Sequence, residues 1–341
     1  MNKRQAHLEL GGGGREFEHE RDVALEAVRH AARLCQRVQA RRVVPGTLVK
    51  GDKSPVTLAD FGAQALVARV LAREFPGDAL MGEEDAAELR EPKNAALADQ
   101  VYAEVIESVP GATPTEVIGW IDRARSEGGA GRFWALDPID GTKGFLRREQ
   151  YAVALALLDG GEVKVGALAC PNVIHAGQVG CVLLASRGVG AFVAPLSGDS
   201  PWVPVRASSI EDPAVARLLE SVEAGHGDHG LNDRIKSYLG VGVPSLRLDS
   251  QAKYALLARG DGDVYLRMPS SADYRENLWD QAAGAIVIEE AGGRVTDMHG
   301  RPLDFTTGRK LERNQGILAT NGRLHEPFLA AIRNAVAGGG V

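Results

Sequence analysis

The chain of 341 residues has 44% hydrophobic and 25% charged residues, an ordinary globular composition that excludes a disordered, collagen-like or disulfide-framework protein. Its length favours two domains, or two lobes that meet at a cleft. The formal net charge of −6, without a basic block, argues against a nucleic acid polymer as a partner, because binding to a phosphate backbone depends on clustered Lys and Arg.

In chain order, the glycine run at 11–14 predicts a mobile leader over residues 1–16. Apolar residues at helical spacing then predict two amphipathic helices, over residues 17–43 and 58–75. Between them, the polar segment 50–55 is typical of a turn. No apolar run in the sequence reaches the roughly 18 residues of a membrane helix, and the N-terminus lacks the apolar segment of a secretory signal. We therefore expect a cytoplasmic protein that contacts no membrane.

Short apolar runs bounded by turn residues predict the strands of a sheet. They cover residues 79–81, 133–136, 152–158, 163–169, 182–185 and 191–194, with a hairpin turn at 160–161. Residues 85–131 are polar and punctuated by Pro and Gly, and are interpreted as a peripheral insertion with helices near 94–107 and 114–125. A Pro- and Ser-rich patch at 195–204 predicts the boundary between an N-terminal lobe, 17–200, and a C-terminal lobe, 201–341.

The second lobe predicts further alternation of strands and helices. The predicted elements are an ordered segment at 214–222, a polar loop at 223–232 leading into a helix that reaches 238, a helix at 250–258, a strand at 263–268 and a helix at 279–291. This alternation predicts a layered α/β or α+β architecture. The cysteines, Cys35, Cys170 and Cys181, are too few and irregular for a disulfide framework or a thiolate zinc site, so they are interpreted as buried, reduced thiols.

Acidic residues stand at predicted strand ends and helix starts, where hard cations such as Mg²⁺ find oxygen ligands. They are Asp60, Glu83, Glu84, Asp137, Asp140 and Asp280. Asp137 and Asp140 flank a carbonyl of Ile139 and precede Gly141, which allows close backbone approach, and Thr142, whose hydroxyl can bond a water. Each acid taken alone is equally typical of a turn, a solvated edge or a helix start, so the residues by themselves leave the metal site open.

Several motifs together resemble one phosphatase superfamily over about residues 17–335. They are SPVTLAD at 54–60, GEE at 82–84, WALDPIDGTKGF at 134–145, LWD at 278–280 and AGG at 291–293. This combination is similar to the lithium-sensitive, magnesium-dependent phosphatases related to inositol monophosphatase. Further segments resemble the 3'(2'),5'-bisphosphate nucleotidases within it, namely TKGFLR at 142–147, EAGH at 223–226, LDSQAKY at 248–254 and DVYLRMP at 263–269.

The resemblance implies an α+β fold, a layered αβαβα sandwich whose cleft binds two to three Mg²⁺. It implies removal of the 3'-phosphate from adenosine 3',5'-bisphosphate to leave AMP, with the 5'-phosphosulfate relative as a second substrate and a monomer or weak oligomer as the working form. The implied metal ligands are Glu83, Asp137, the Ile139 carbonyl, Asp140 and Asp280. Asp60 and Thr142 are implied to activate the attacking water.

The same resemblance implies a set of nucleotide contacts. They are Gly141, Thr142, His226, Ser250, Lys253, Arg267 and Asp280. The residues agree with this in part, since Ser250 and Lys253 share one face of a predicted helix and Arg267 ends a predicted strand, where it could grip a phosphate.

Two alternatives stay open at this point. An inositol mono- or polyphosphate phosphatase would use the same acids on another substrate, and a phosphate-release panel separates the two. A catalytically silent protein that senses metal or nucleotide is the alternative from another class, and it would have no need of the water-activating pair Asp60 and Thr142.

Overall fold

The computed structural model describes residues 16–42, 54–222 and 229–337, so most of the predicted leader and of the segment 50–55 lies outside the described residues. Its helices are α1 Glu18–Arg42, α2 Ser54–Glu74, α3 Ala95–Ser108, α4 Pro114–Asp122, α5 Thr142–Arg147, α6 His229–Leu239, α7 Ala252–Ala258, α8 Ala282–Glu290 and α9 His325–Ala337. Its strands are β1 Ala79–Gly82, β2 Phe133–Asp140, β3 Ala152–Asp159, β4 Glu162–His175, β5 Gln178–Ser186, β6 Gly190–Pro195, β7 Val203–Pro204, β8 Leu218–Glu220, β9 Leu246–Arg247, β10 Val264–Arg267, β11 Arg294–Thr296 and β12 Ile317–Thr320.

The predicted helices and strands of the first lobe are confirmed, with two instructive differences at their ends. α2 begins at Ser54, inside the segment that the sequence predicts as a turn. β2 continues to Asp140 instead of turning after residue 136. The reason is pairing with β3, which resumes at Asp140 and Ala152 after a register shift that begins at Asp137. The acidic motif therefore lies on the last, irregular part of a strand.

The second lobe differs from expectation at the start of three helices. α6 begins at His229, inside the segment 223–232 that the sequence predicts as a polar loop. The helix predicted at 250–258 begins at Ala252, because Ser250 has a φ of 70°, in the left-handed region that an α-helix excludes. The prediction that Ser250 and Lys253 share a helical face is therefore wrong. The helix predicted at 279–291 begins at Ala282.

The first sheet contains β1 to β7 in sequence order, with β1 and β2 parallel and every later pair antiparallel. Parallel neighbours need a long crossover, and residues 83–132 supply it. Val105 of α3 and Ile121 of α4, both in the predicted insertion 85–131, are buried in the same core as α1 and α2. Between β3 and β4, Gly160 and Gly161 have φ values of 64° and 78°, which a two-residue hairpin turn requires.

The second sheet has the order β11-β12-β10-β8-β9, in which β10, β8 and β9 are parallel. Its strands alternate between two cores. Leu219 and Tyr265 face a core shared with α7, α8 and the first sheet, whereas Leu218 and Val264 face the core under α6 and α9.

The layers follow from these alternating faces. Trp134 of β2 packs with α1 and α2 on the outer face of the first sheet, and its neighbour Phe133 packs towards α7 and α8. The order is therefore α1 and α2, first sheet, α7 and α8, second sheet, α6 and α9. This confirms the predicted αβαβα sandwich. All three cysteines are buried, and among the described residues no helix is both long and apolar enough to cross a membrane.

One buried histidine makes the fold sensitive to acid. His325, at the start of α9, is 0% exposed, and its ring nitrogens lie 3.0 Å from Thr296 Oγ1 and 3.1 Å from Thr320 Oγ1. Burial, helped by Arg294, lowers its pKa from 6.5 to about 4. Between these two values the unfolded chain binds a proton that the folded chain does not, so stability present above pH 6.5 is lost as the pH falls towards 4.

We expect His325→Gln to remove this part of the acid sensitivity, because the amide can still bond a threonine hydroxyl and does not titrate. Urea unfolding at about pH 7, 5.5 and 4.5 measures it. The wild type should lose up to about 1 kcal/mol more per pH unit than the variant. Equal pH slopes in the two proteins would exclude His325 as the source.

Candidate active site

Six acidic side chains from different elements lie within electrostatic reach of one another. Asp60 belongs to α2, Glu83 and Glu84 follow β1, Asp137 and Asp140 belong to the end of β2, and Asp280 precedes α8. The parallel register of β1 and β2 explains part of this, since Gly82 lies opposite Leu136 and both strands leave the sheet at the same edge. Glu83 and Asp137, each one residue after this pair, therefore lie next to each other.

Asp137 stands among the other acids. Its residue is 2% exposed, and burial raises its pKa well above the ordinary value. Glu83, Asp140, Asp280 and Asp60 each raise the pKa further by electrostatic repulsion. One unit of pKa shift corresponds to about 1.4 kcal/mol, so holding these groups together as anions costs folding free energy.

The other members of the cluster are shifted in the same direction. Burial raises the pKa of Glu83 to about 8, with further contributions from Asp280, Glu84 and Asp140, although Arg309 opposes the shift. Burial likewise raises the pKa of Glu84 to about 7 and those of Asp140 and Asp280 to about 6. Crowded acids with upward pKa shifts are typical of functional sites.

Asp60 is buried as well, and its pKa is raised well above the ordinary value by burial first and then by Glu84 and Glu83. Thr142 is exposed at the first position of α5, which contacts α2. The two members of the predicted water-activating pair are therefore carried by neighbouring helices.

The donor set suits a hard divalent cation. The side chains are carboxylates, and Asp137 Oδ1 is buried without a hydrogen-bond partner. Asp137 of β2 and Asp280, which precedes α8, lie close enough for each to shift the pKa of the other. Within the described ranges, no three His, Cys, Asp or Glu side chains form a ready-made metal centre. The acids therefore shift each other's pKa values, but their oxygen atoms do not converge on a single point.

The backbone at the end of β1 and just after it is held by hydrogen bonds from two different elements. Gln64 of α2, which is fully buried, donates to the Glu84 carbonyl at 2.8 Å and accepts from the Glu84 N–H at 3.1 Å. Arg309 donates to the Gly82 carbonyl at 2.7 Å and lies over the Trp279 ring. These bonds connect the backbone that carries Glu83 to α2 on one side and to the second lobe on the other.

Two basic side chains face the acids. Lys253 of α7 is 2% exposed and donates to the Leu248 carbonyl at 3.2 Å. Burial lowers its pKa to about 8, although Asp140 opposes the shift. Arg267, at the end of β10, pairs with Glu276 at 2.9 Å and lies 3.6 Å from Asp280. Both cations lower the pKa of Asp140, so both stand near the acidic cluster.

The other predicted site residues are Gly141, Ser250, Ile139 and His226. Gly141 has a φ of 90°, and a Cβ on it would lie 2.8 Å from the Ser250 Cβ, so the glycine lets these two segments touch. Ile139 is buried on β2, next to the acids. His226 lies outside the described residues.

Sequence reasoning missed the residues that hold the acids in place. Gln64, Gln251, Glu276 and Arg309 carry no recognisable spacing, and only Gln251 lies inside one of the motifs quoted above. Gln251 donates its backbone N–H to Asp140 Oδ2 at 2.6 Å. These residues can be recognised only in the folded structure, because each one bonds to a group that belongs to another element of the fold.

Comparison with known proteins decides the family. The model of the inositol monophosphatase family matches residues 17–337. The chain belongs to the inositol monophosphatase family. Members of this family generally depend on Mg²⁺.

Solved structures of family members share the fold. An inositol monophosphatase from Zymomonas mobilis aligns with a TM-score of 0.63 and 21% identity, covering 94% of this chain and 100% of that one. One from Anabaena (Nostoc) sp. PCC 7120 aligns with a TM-score of 0.62 and 21% identity, covering 93% and 96%. At this identity the likeness concerns the fold alone.

Relatives of higher identity carry another name. A protein of Emericella nidulans, named 3'(2'),5'-bisphosphate nucleotidase, is 42% identical and covers 94% of this chain and 99% of its own length. A protein of Oryza sativa with the same name is 44% identical and covers 95% of this chain and 96% of its own. The resemblance that the motifs predict is thereby confirmed.

Proposed function

We propose that the protein is a magnesium-dependent phosphomonoesterase that hydrolyses the 3'-phosphate of adenosine 3',5'-bisphosphate to give AMP and phosphate. The observation that carries the proposal is the cluster of buried acids beside Lys253 and Arg267, both of which lower the pKa of Asp140. The acids suit cations and the two bases suit phosphate oxygens. The shared name of relatives at 42% and 44% identity supports the choice of substrate.

Two to three Mg²⁺ would be held by the side chains of Glu83, Asp137, Asp140 and Asp280 and by the Ile139 carbonyl. The fit rests on their crowding and on the unpartnered Asp137 Oδ1. When bound, the cations would neutralise phosphate charge and favour deprotonation of a nearby water. This chain's part is to supply an anionic, oxygen-rich pocket at the edge of two sheets.

Asp60 and Thr142 act on the water in this proposal. The Asp60 carboxylate accepts a proton from the water, and the Thr142 hydroxyl orients the water towards phosphorus. Burial and the repulsion of Glu84 and Glu83 raise the pKa of Asp60 in the metal-free protein, so the carboxyl acts as a base once nearby positive charge has lowered that pKa again. The bond from phosphorus to the 3'-oxygen breaks as the water oxygen adds, the 3'-oxygen takes up a proton from solvent water, and Asp60 returns its proton to solvent. In this scheme the phosphate is transferred directly to water.

The nucleotide is bound by Gly141, Thr142, His226, Ser250, Lys253 and Arg267, with Asp280 at the boundary with the metal ligands. Gly141 packs closely against the Ser250 Cβ, so the two residues form a continuous wall. Lys253 and Arg267 place positive charge beside Asp140. This side of the cleft sets specificity.

Arg267→Lys tests the assignment of the guanidinium. We expect KM for the nucleotide to rise about tenfold, because an ammonium cannot make the paired N–H contacts of a guanidinium, with kcat within a few-fold of wild type. Lysine keeps a positive charge beside buried Glu276, so the fold is retained. Steady-state phosphate release measures both constants, with Arg313→Lys, an exposed arginine paired with Asp304, as the matched control. An unchanged KM would refute the contact.

A substrate panel tests the function as a whole. Purified protein is assayed for phosphate release from adenosine 3',5'-bisphosphate, its 5'-phosphosulfate relative and two inositol phosphates, with and without Mg²⁺ and Li⁺. We expect Mg²⁺-dependent release from the nucleotides and inhibition by Li⁺. Preference for the inositol phosphates would favour the inositol phosphatase alternative, and no release from any compound would favour a silent sensor.

The proposal also covers the location, assembly and partners of the enzyme. We infer a cytoplasmic enzyme that acts as a monomer or weak oligomer on a small-molecule nucleotide, without a nucleic acid polymer or a membrane as partner. We place the boundary between lobes 17–200 and 201–341, with most metal ligands in the first lobe and Asp280 and most nucleotide contacts in the second.

A further inference from the structure

Gln251 connects two of the proposed metal ligands that come from different lobes. It is 2% exposed and stands between Ser250 and the start of α7. Its backbone N–H donates to Asp140 Oδ2 at 2.6 Å. The residue therefore touches the carboxylate of one ligand directly while belonging to the opposite lobe.

The side chain of Gln251 reaches the other ligand's backbone. Its Nε2 donates to the Trp279 carbonyl at 3.0 Å, one residue before Asp280. Its Oε1 accepts from the Gly284 N–H at 3.0 Å, in the first turn of α8. Both bonds hold main chain, so they fix where α8 and the segment before it stand relative to Asp140.

The close packing around these bonds leaves little freedom for compensation. A Cβ on Gly284 would lie 2.2 Å from the ring of Tyr254, so α7 and α8 are in contact at this point. Tyr254 donates to Gln281 Oε1 at 2.6 Å, and Gln281 donates to Glu276 at 3.1 Å. A buried chain of polar groups thus runs beside Gln251, and in a packed interior such a network has few alternative arrangements.

We propose that Gln251 is a positioning residue that sets the separation of Asp140 and Asp280 and thereby the affinity of the cleft for divalent cations. The inference rests on the proposed function, because it takes both acids as metal ligands. Gln251 is not one of the proposed metal ligands or nucleotide contacts. Residues that orient metal ligands typically change metal affinity or activity about 10- to 100-fold when they are replaced.

Gln251→Met tests the proposal, since methionine is similar in length and lacks both amide bonds while the backbone N–H remains. The matched control is Asn314→Leu. Asn314 is also a buried amide with bonds to main chain, accepting from the Asp304 N–H at 2.7 Å and donating to the Pro302 carbonyl at 2.9 Å, and it lies outside the site. Mg²⁺ affinity is measured calorimetrically, without substrate, and urea unfolding measures stability.

We expect both variants to lose stability, but only Gln251→Met to bind Mg²⁺ about tenfold or more weakly. Gln251→Leu, which also lacks both amide bonds and adds no charge next to the acids, should weaken Mg²⁺ binding to a similar degree. This second variant also allows Mg²⁺ affinity to be measured if Gln251→Met does not fold. Equal Mg²⁺ affinity in wild type and the folded Gln251 variants would overturn the proposal, as would an equal loss in Asn314→Leu.

The same measurements separate this inference from the proposed function. A wild-type protein that binds no Mg²⁺ refutes the proposed function and this inference with it. A wild type that binds Mg²⁺ and releases phosphate, beside Gln251 variants of unchanged affinity, refutes the positioning role of Gln251 alone.

Discussion

Asp140→Asn should reduce kcat by more than about 100-fold without unfolding the protein, since loss of a metal ligand should exceed the 10- to 100-fold effect of residues that only orient ligands. The asparagine keeps an oxygen that can accept the Gln251 N–H, which lies 2.6 Å from Asp140 Oδ2 in the wild type. It loses the negative charge that a divalent cation requires. Phosphate release at saturating Mg²⁺ and nucleotide measures the effect.

In contrast to kcat, the thermal stability of the metal-free protein should not fall in Asp140→Asn. Burial and repulsion by Asp280 raise the pKa of Asp140 to about 6, so the anion is unfavourable in the folded, metal-free protein. A neutral amide removes that cost, and the thermal midpoint without Mg²⁺ at about pH 8 should stay equal or rise. Asp99→Asn on the surface of α3 is the matched control, with both properties unchanged. A kcat within about tenfold of wild type in Asp140→Asn would contradict its assignment as a ligand.

The resemblance of several motifs to one phosphatase superfamily identifies the acids as metal ligands, because each acid taken alone is equally typical of a turn, a solvated edge or a helix start. Short-range pattern predicts only that Asp137 lies near a strand end, since an apolar run precedes it and a proline follows it, and β2 in fact extends to Asp140. The alternation of apolar runs, as in β3 and β4 around Gly160 and Gly161, predicts a layered α/β or α+β architecture, and the αβαβα order of the layers is implied by the resemblance. Hydrophobic periodicity and turn-forming residues are features of short segments, so they can be recognised in a single sequence.

The positions where prediction failed depend on distant partners. Local helix propensity cannot reveal that Ser250 takes a φ of 70°, because Ser250 packs there against Gly141, more than a hundred positions away in the chain. The extension of β2 to Asp140 likewise depends on pairing with Ala152. Arg309 bonds to Gly82 across the cleft, and nothing in the polar loop around it indicates that partner. Such residues are recognised only once the fold is known.

Mg²⁺ should bind more tightly as the pH rises. Without the cation, Glu83 with a pKa of about 8, Glu84 of about 7, and Asp140 and Asp280 of about 6 hold protons that the unfolded chain has already lost. Between about pH 4 and these values the folded state binds more protons, so the metal-free protein loses stability as the pH rises. Cation binding must displace those protons, and it becomes easier once they have left.

We expect the Kd for Mg²⁺ to fall at least about tenfold between about pH 5.5 and 7.5, and the rise in thermal midpoint caused by Mg²⁺ to grow accordingly. Comparing each pH with and without Mg²⁺ cancels the separate titration of His325, whose stabilising effect changes with pH in the opposite sense. NaCl at matched ionic strength controls for screening. A Kd that is the same at both pH values would mean that these acids do not compete with the cation for protons, and the cleft would then lose its interpretation as a magnesium site.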